Sequence, residues 1–303
     1  MRPNKTPLHS LLVTAVLASA VSLPLQARES VELTHVHGLS YNSSGKQIMI
    51  PSHHGMAIFE GGHWSMAPGP AHDFMGFSAT RSSMYSSGHP APGSNMTNPF
   101  GVIKSRDGGK TWQKLGLDGE SDFHTLATSY GTNAVYVINH RPNSRMPTAG
   151  IYSTRNDGLQ WSAASAGGIK GDIASMAVHP TDADIVAVGT ADGIFLSRDS
   201  GNNFKLLAGG TRALAATFDL DGKSLWVGTY DSKAGLARIA LTMGAKAQAL
   251  TIPPLTEDAV AYIAQNPVST RELVIATFKR NVFLSKDQGQ NWKQIAKNGE
   301  TLE

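Results

Sequence analysis

The sequence predicts an all-β fold, a six-bladed β-propeller, on three observations. One turn motif recurs at a near-constant interval. Short apolar runs alternate with Gly, Asp and Pro turns between its copies. The interval fits six times into the chain.

The motif sets the frame. Four segments read S/T-x-D/N-x-G-x-x-aromatic: Ser105 to Trp112, Thr154 to Trp161, Ser197 to Phe204 and Ser285 to Trp292. The aromatic positions lie 49, 43 and 88 residues apart, and 88 is two intervals of 44. A degenerate unit therefore belongs around residues 236–252. Another belongs around residues 56–66, where Trp64 takes the aromatic place. In each box the Ser/Thr and Asp/Asn side chains bond the turn backbone, and Gly supplies a positive φ. The aromatic residue packs between units. The boxes hold hairpins together and are structural.

Within a unit the pattern gives four strands. The fourth unit is the clearest, with apolar runs at 173–178, 185–189, 194–197 and 204–207. They are separated by His179-Pro180-Thr181-Asp182, Ala191-Asp192-Gly193 and the box. Runs this short, bounded by turn residues, are strands rather than helices. Met49, Met56, Met84 and Met176 fall inside such runs and read as core filling. The chain ends just after its last outer strand, so each blade reads as self-contained. The alternative is that residues 30–33 pair with the last blade.

Residues 1–27 read as a secretory signal peptide. Arg2 and Lys5 precede an apolar stretch that ends at Ala27, too short and too interrupted by Pro24 for a spanning helix. Residues 28–303 then form a single propeller domain, periplasmic or secreted and free of the membrane after cleavage. The formal charge of +3 falls to about +1 without Arg2 and Lys5. No Lys/Arg run remains, which argues against nucleic acid as a partner. The chain has no cysteine, which excludes disulfides, thiolate zinc sites, iron–sulfur clusters and a Cys nucleophile.

The boxes resemble the Asp-box (BNR) repeats of sialidase-like propellers. The rest of the chain, including His35-Val36-His37-Gly38-Leu39, His72-Asp73-Phe74-Met75, Ser87-Gly88-His89-Pro90 and Ala276-Thr277-Phe278-Lys279-Arg280, resembles a bacterial family of exported Asp-box proteins commonly labelled glycosylhydrolase-like. The resemblance implies a six- or seven-bladed propeller. It also implies association with copper-handling genes, and hence copper as the metal and a periplasmic copper-handling protein as a partner. The box itself specifies fold rather than function.

The histidines carry the functional signal. Nine of the 11 lie between His35 and His140. Aligned by unit, the starts of the innermost strands and the ends of the second strands share one face, opposite the boxes. Eight histidines map there, all in blades 1 to 3, whereas His63 and His179 map to the box face. The best ligand candidates are His37, His53, His89, His124 and His140. His35, His54, His72 and Met75 are second choices. Imidazole with thioether suits copper, and imidazole alone also suits zinc or nickel. Met96 and Met146 ride on two long loops, 90–99 and 141–149, placed to close over the site or deliver Cu(I). Asp73 and Asp122 are candidates to orient imidazoles from behind.

Two other function classes are open to the same residues. Asp73, Asp122, Asp172 and Asp258 recur at the innermost strand starts. The first two and Asp258 are the alternative catalytic set for a glycoside hydrolase, which needs paired carboxylates. A sialidase also needs arginines, and only Arg141, Arg212 and Arg280 are placed to serve. A copper-dependent oxidoreductase is a further enzymatic possibility, without a substrate signal. Alternatively, Phe278, Lys279 and Arg280 form a basic–aromatic patch suited to a protein-binding scaffold.

Overall fold

The computed structural model describes residues 31–302, together with Met1. The signal-peptide reading, and Ser30, lie outside the described residues. The described residues form six antiparallel sheets and no helix, so the predicted six-bladed propeller is the fold.

Blade 1 comprises β1 (Ser40–Tyr41), β2 (Gln47–Ser52), β3 (Gly55–Glu60) and β4 (His63–Met66). Blade 2 comprises β5 (Asp73–Ala79), β6 (Met84–His89), β7 (Val102–Ser105) and β8 (Gln113–Gly116). Blade 3 comprises β9 (Leu126–Thr128), β10 (Val135–Asn139), β11 (Gly150–Thr154) and β12 (Ser162–Ala163). Blade 4 comprises β13 (Ile173–Val178), β14 (Val186–Thr190), β15 (Gly193–Ser197) and β16 (Phe204–Gly209). Blade 5 comprises β17 (Arg212–Phe218), β18 (Ser224–Asp231), β19 (Lys233–Ala240) and β20 (Gln248–Leu250). Blade 6 comprises β21 (Val260–Gln265), β22 (Leu273–Thr277), β23 (Val282–Ser285), β24 (Lys293–Lys297) and a fifth strand, β25 (Glu300–Thr301).

The hydrophobic core is six seams, one between each pair of neighbouring blades. Met49, Met56, Phe74, Phe77 and Met84 fill the seam of blades 1 and 2. Val31, Leu33, Tyr41, Ile50, Val274 and Leu284 fill that of blades 6 and 1. Met49, Met56, Met84 and Met176 are all buried, as their strand placement predicts.

The repeated turn works as its residues suggest. The Gly109 amide donates to Ser105 Oγ at 2.9 Å and the Thr111 amide to Asp107 Oδ1 at 3.0 Å. The same pair of bonds recurs at Gly201 and Asn203, and at Gly289 and Asn291. Asn156 takes the acid's place in blade 3 and accepts from the Gln160 amide. Trp112 then lies 5.0 Å from Phe74, ring to ring, and Trp64 donates to Ile295 O across the seam of blades 1 and 6.

The ring closes by the route left as the alternative. The Leu33 amide donates to Gly299 O at 2.8 Å, Glu32 bridges Glu300 antiparallel, and Thr301 Oγ1 donates to Val31 O. Leu33 is fully buried in the seam beneath. The expectation of self-contained blades is corrected: residues 31–33 complete blade 6 and then run directly into blade 1.

The innermost strand of blade 1 starts later than its sequence suggests, at Ser40 rather than His35. Pro51 in β2 faces it and has no N–H to donate, so the ladder shrinks to one bond, from the His37 amide to Pro51 O at 3.1 Å. His35 and His37 therefore sit on an irregular, extended segment at the mouth of the ring.

Candidate metal centre

Three imidazoles converge at that mouth. His35 and His37 come from the extended segment, and His53 follows the end of β2. One ring nitrogen from each lies within 4.8 Å of the others, the only such group of three or more His, Asp or Glu among the described residues. Ring centroids are 4.3 Å apart for His35–His37 and 4.8 Å for His37–His53.

Each ring is held for a reason. His53 Nδ1 meets Asp73 Oδ1 at 2.8 Å, which places the proton on Nδ1 and leaves Nε2 with its lone pair. That Nε2 faces His35 Nδ1 at 3.1 Å. His37 is 9% exposed, and its Nε2 is buried without a hydrogen-bond partner. A buried polar atom left unpaired is costly, and a cation is one partner that satisfies it.

Protonation of His35 and His37 is disfavoured. Burial, then the neighbouring His35 and His53, pushes His37 down to about 4. Burial, then His53 and the Arg280 guanidinium, lowers His35 as well. Imidazoles that stay neutral keep their lone pairs for a metal.

Met75, on β5, completes the surroundings. It lines a cavity of about 330 Å³ together with His35, His37, His53, His124 and Phe278. His37 and His124 also border a channel-side cavity with Ala174 and Leu214, so residues at or just before four innermost strands converge there.

His89 and His124 form a second group. Their Nε2 atoms lie 3.2 and 2.9 Å from the same oxygen, Asp122 Oδ2. His89 Nδ1 lies 2.6 Å from Asn98 Oδ1.

The remaining candidates go elsewhere. His72 is buried against Phe74 and Phe100, and its Nδ1 accepts from the Ala91 amide, which ties down the following loop. His54 lines a separate hollow with Met66 and Pro70. His140 is exposed just after β10 and belongs to neither group. His179 bonds Gly222 O and the Asp182 amide, a structural role on the box face. The two loop methionines do not form a lid: Met146 is fully buried in the seam of blades 2 and 3, and Met96 packs on the Phe74–Phe100 cluster. Apolar anchors hold these loops down, a feature their length and polarity conceal.

The proposed carboxylates are likewise committed. Asp73 and Asp122 serve imidazoles. Asp258 is buried and accepts from the Ala259 and Lys279 amides and Asn281 Nδ2, capping its own loop. Asp172 is exposed. Arg280 donates to Leu33 O and Thr34 O, so it secures the segment bearing His35 and does not belong to a free basic patch. Its contribution to the site was not signalled by the sequence. Phe278 is exposed and Lys279 bonds Thr256 O.

No family model matches the sequence, and no curated protein matches it. Solved structures do. The chain is similar to a GH74 enzyme of Niastella koreensis, with 14% identity, TM-score 0.59, and coverage of 88% of this chain and 46% of that one. It is similar to the extracellular domain of a putative hybrid two-component system from B. thetaiotaomicron, with 14% identity, TM-score 0.53, and coverage of 91% and 35%. It is also similar to YCF48 bound to D1 peptide, with 15% identity, TM-score 0.51, and coverage of 88% and 83%. The chain spans less than half the length of the first two. At such identities the likeness establishes the propeller fold alone. No described helix is long and apolar enough to cross a membrane.

Proposed function

We propose that this chain is an exported metal-binding propeller that sequesters or delivers copper, with His35, His37 and His53 as the ligands and Met75 beside them. The observation that carries the reading is the unpartnered Nε2 of His37, buried where two further imidazole nitrogens converge. Three imidazoles with a thioether nearby suit a soft ion such as Cu(I), and zinc is the alternative. Copper is cargo here, and a periplasmic copper-handling protein is the partner that would supply or receive it. The hydrolase reading has less support, because Asp73, Asp122 and Asp258 are each engaged by protein donors.

The test is a Cu(I) titration of purified protein against a colorimetric chelator, beside a His35→Ala/His37→Ala/His53→Ala variant. Wild type should hold one Cu(I) that the variant loses. Equal retention by both would remove the basis of the assignment.

A further inference from the structure

We infer a second metal site, built from His89, Asp122 and His124, that takes a divalent transition-metal ion. It goes beyond the three-imidazole site and uses none of its ligands.

The geometry carries it. Two imidazole Nε2 atoms, one at the end of β6 and one in the segment before β9, point at a single carboxylate oxygen at 3.2 and 2.9 Å. The other oxygen, Asp122 Oδ1, is buried and accepts no hydrogen bond. One carboxylate oxygen is thus crowded by two ring nitrogens while its twin lacks a donor. For ordinary ion pairing this is a poor distribution, since a carboxylate is best satisfied when both oxygens accept. A cation would meet two nitrogens and a carboxylate, from the end of β6 and the segment before β9, with charge of the right sign; the three ligand atoms do not all lie within 4.8 Å of one another, so the two imidazoles draw together when an ion binds between them. An ion seated there would displace any proton on these ring nitrogens. His89 is further oriented by Asn98 on its other nitrogen.

The donor set differs from its neighbour in kind. Two imidazoles and a carboxylate suit a borderline divalent ion such as Zn(II) or Cu(II), whereas the site with Met75 suits a softer one. The two are held on one frame. Asp73, which orients His53, is the cross-strand partner of His89. His124 lines the same cavity as the first site.

The experiment is Zn(II) titration by calorimetry, with bound metal counted after desalting. Four proteins are compared: wild type, His35→Ala/His37→Ala/His53→Ala, that triple variant with Asp122→Asn added, and His89→Ala/His124→Ala. The triple variant should retain one Zn(II), and adding Asp122→Asn should weaken that binding at least tenfold. The His89→Ala/His124→Ala protein should lose one equivalent relative to wild type. Asp122→Asn preserves shape, and unchanged melting in chelator certifies folding. In the triple variant, Cu(II) should give an electron paramagnetic resonance spectrum with two coupled nitrogens. If the triple variant binds no Zn(II), or binds it equally with and without Asp122, the carboxylate and its two imidazoles are only a structural network and the inference falls. Failure of the copper reading would appear separately, as unchanged Cu(I) retention in the triple variant.

Discussion

His53 Nε2 stands 3.1 Å from His35 Nδ1, two ring nitrogens facing one another from segments 18 residues apart. Only one of them can carry a proton between them, and a metal ion is the natural replacement for it. Because Asp73 holds the opposite nitrogen of His53, the carboxylate governs how well that lone pair is presented. Asp73→Asn should therefore weaken copper binding about 10–100-fold. Saturating copper should still fill the site, and a competition titration separates the two effects.

His37 poses the inverse case. Its buried Nε2 has no partner in the metal-free protein, so it contributes little to stability. His37→Leu should leave the metal-free melting temperature nearly unchanged, within about 1 kcal/mol. Copper should raise wild-type stability by about 2.7 kcal/mol at a hundredfold excess over Kd, and this variant should lose that rise. Thermal melts with and without copper decide it. A large loss of metal-free stability would show that His37 is a packing residue.

Ring closure should be separable from the blades. Leu33 is fully buried, and Leu33→Ala should cost about 3 kcal/mol. Arg280→Ala removes donors to Leu33 O and Thr34 O and should cost about 1–2 kcal/mol, less than a fully buried pair because the guanidinium is partly exposed. Both variants should speed hydrogen exchange at the Leu33 amide and weaken copper binding, while amides of blade 4 stay protected.

The repeated turns predict an acid response. Thr111, Asn203 and Asn291 side chains, followed by the backbone amides beside them, hold Asp107, Asp199 and Asp287 down at about 2, against an ordinary value of 3.8. The unfolded chain thus binds protons more readily. The stabilisation from these acids is complete above about pH 4 and is lost as pH falls towards about 2. Denaturant titrations across this range should show the slope, and the Asp107→Asn/Asp199→Asn/Asp287→Asn variant should flatten it. Blade 3 carries Asn156 at that position, so its box has no acid there to titrate.

The ring was legible because the turn chemistry repeats. The spacing of Trp112, Trp161, Phe204 and Trp292 fixed the blade length, and six seams follow from it. Strand ends were legible too: the alignment put His37, His53, Met75 and His124 at one mouth. What strand periodicity does not report is where a side chain turns once its strand has ended. His72 folds inward onto Phe74 and Phe100, while His53, at an equivalent height, turns to Asp73. Met146 sits in a polar loop yet fills a seam. The choice between open and clasped ends depended on Leu33, whose partner Gly299 is hundreds of residues distant and outside any local pattern. Arg280 read as a surface cation because its acceptors are backbone carbonyls, which no sequence motif advertises.

The clasp between residues 31–33 and β25 sets an order of events. His35 and His37 are made long before the strand that steadies the segment preceding them. A chain interrupted before Gly299 would carry all three imidazoles and lack the bonds that align them. The alignment of His35 and His37 at the ring mouth thus depends on contacts formed by residues far along the chain.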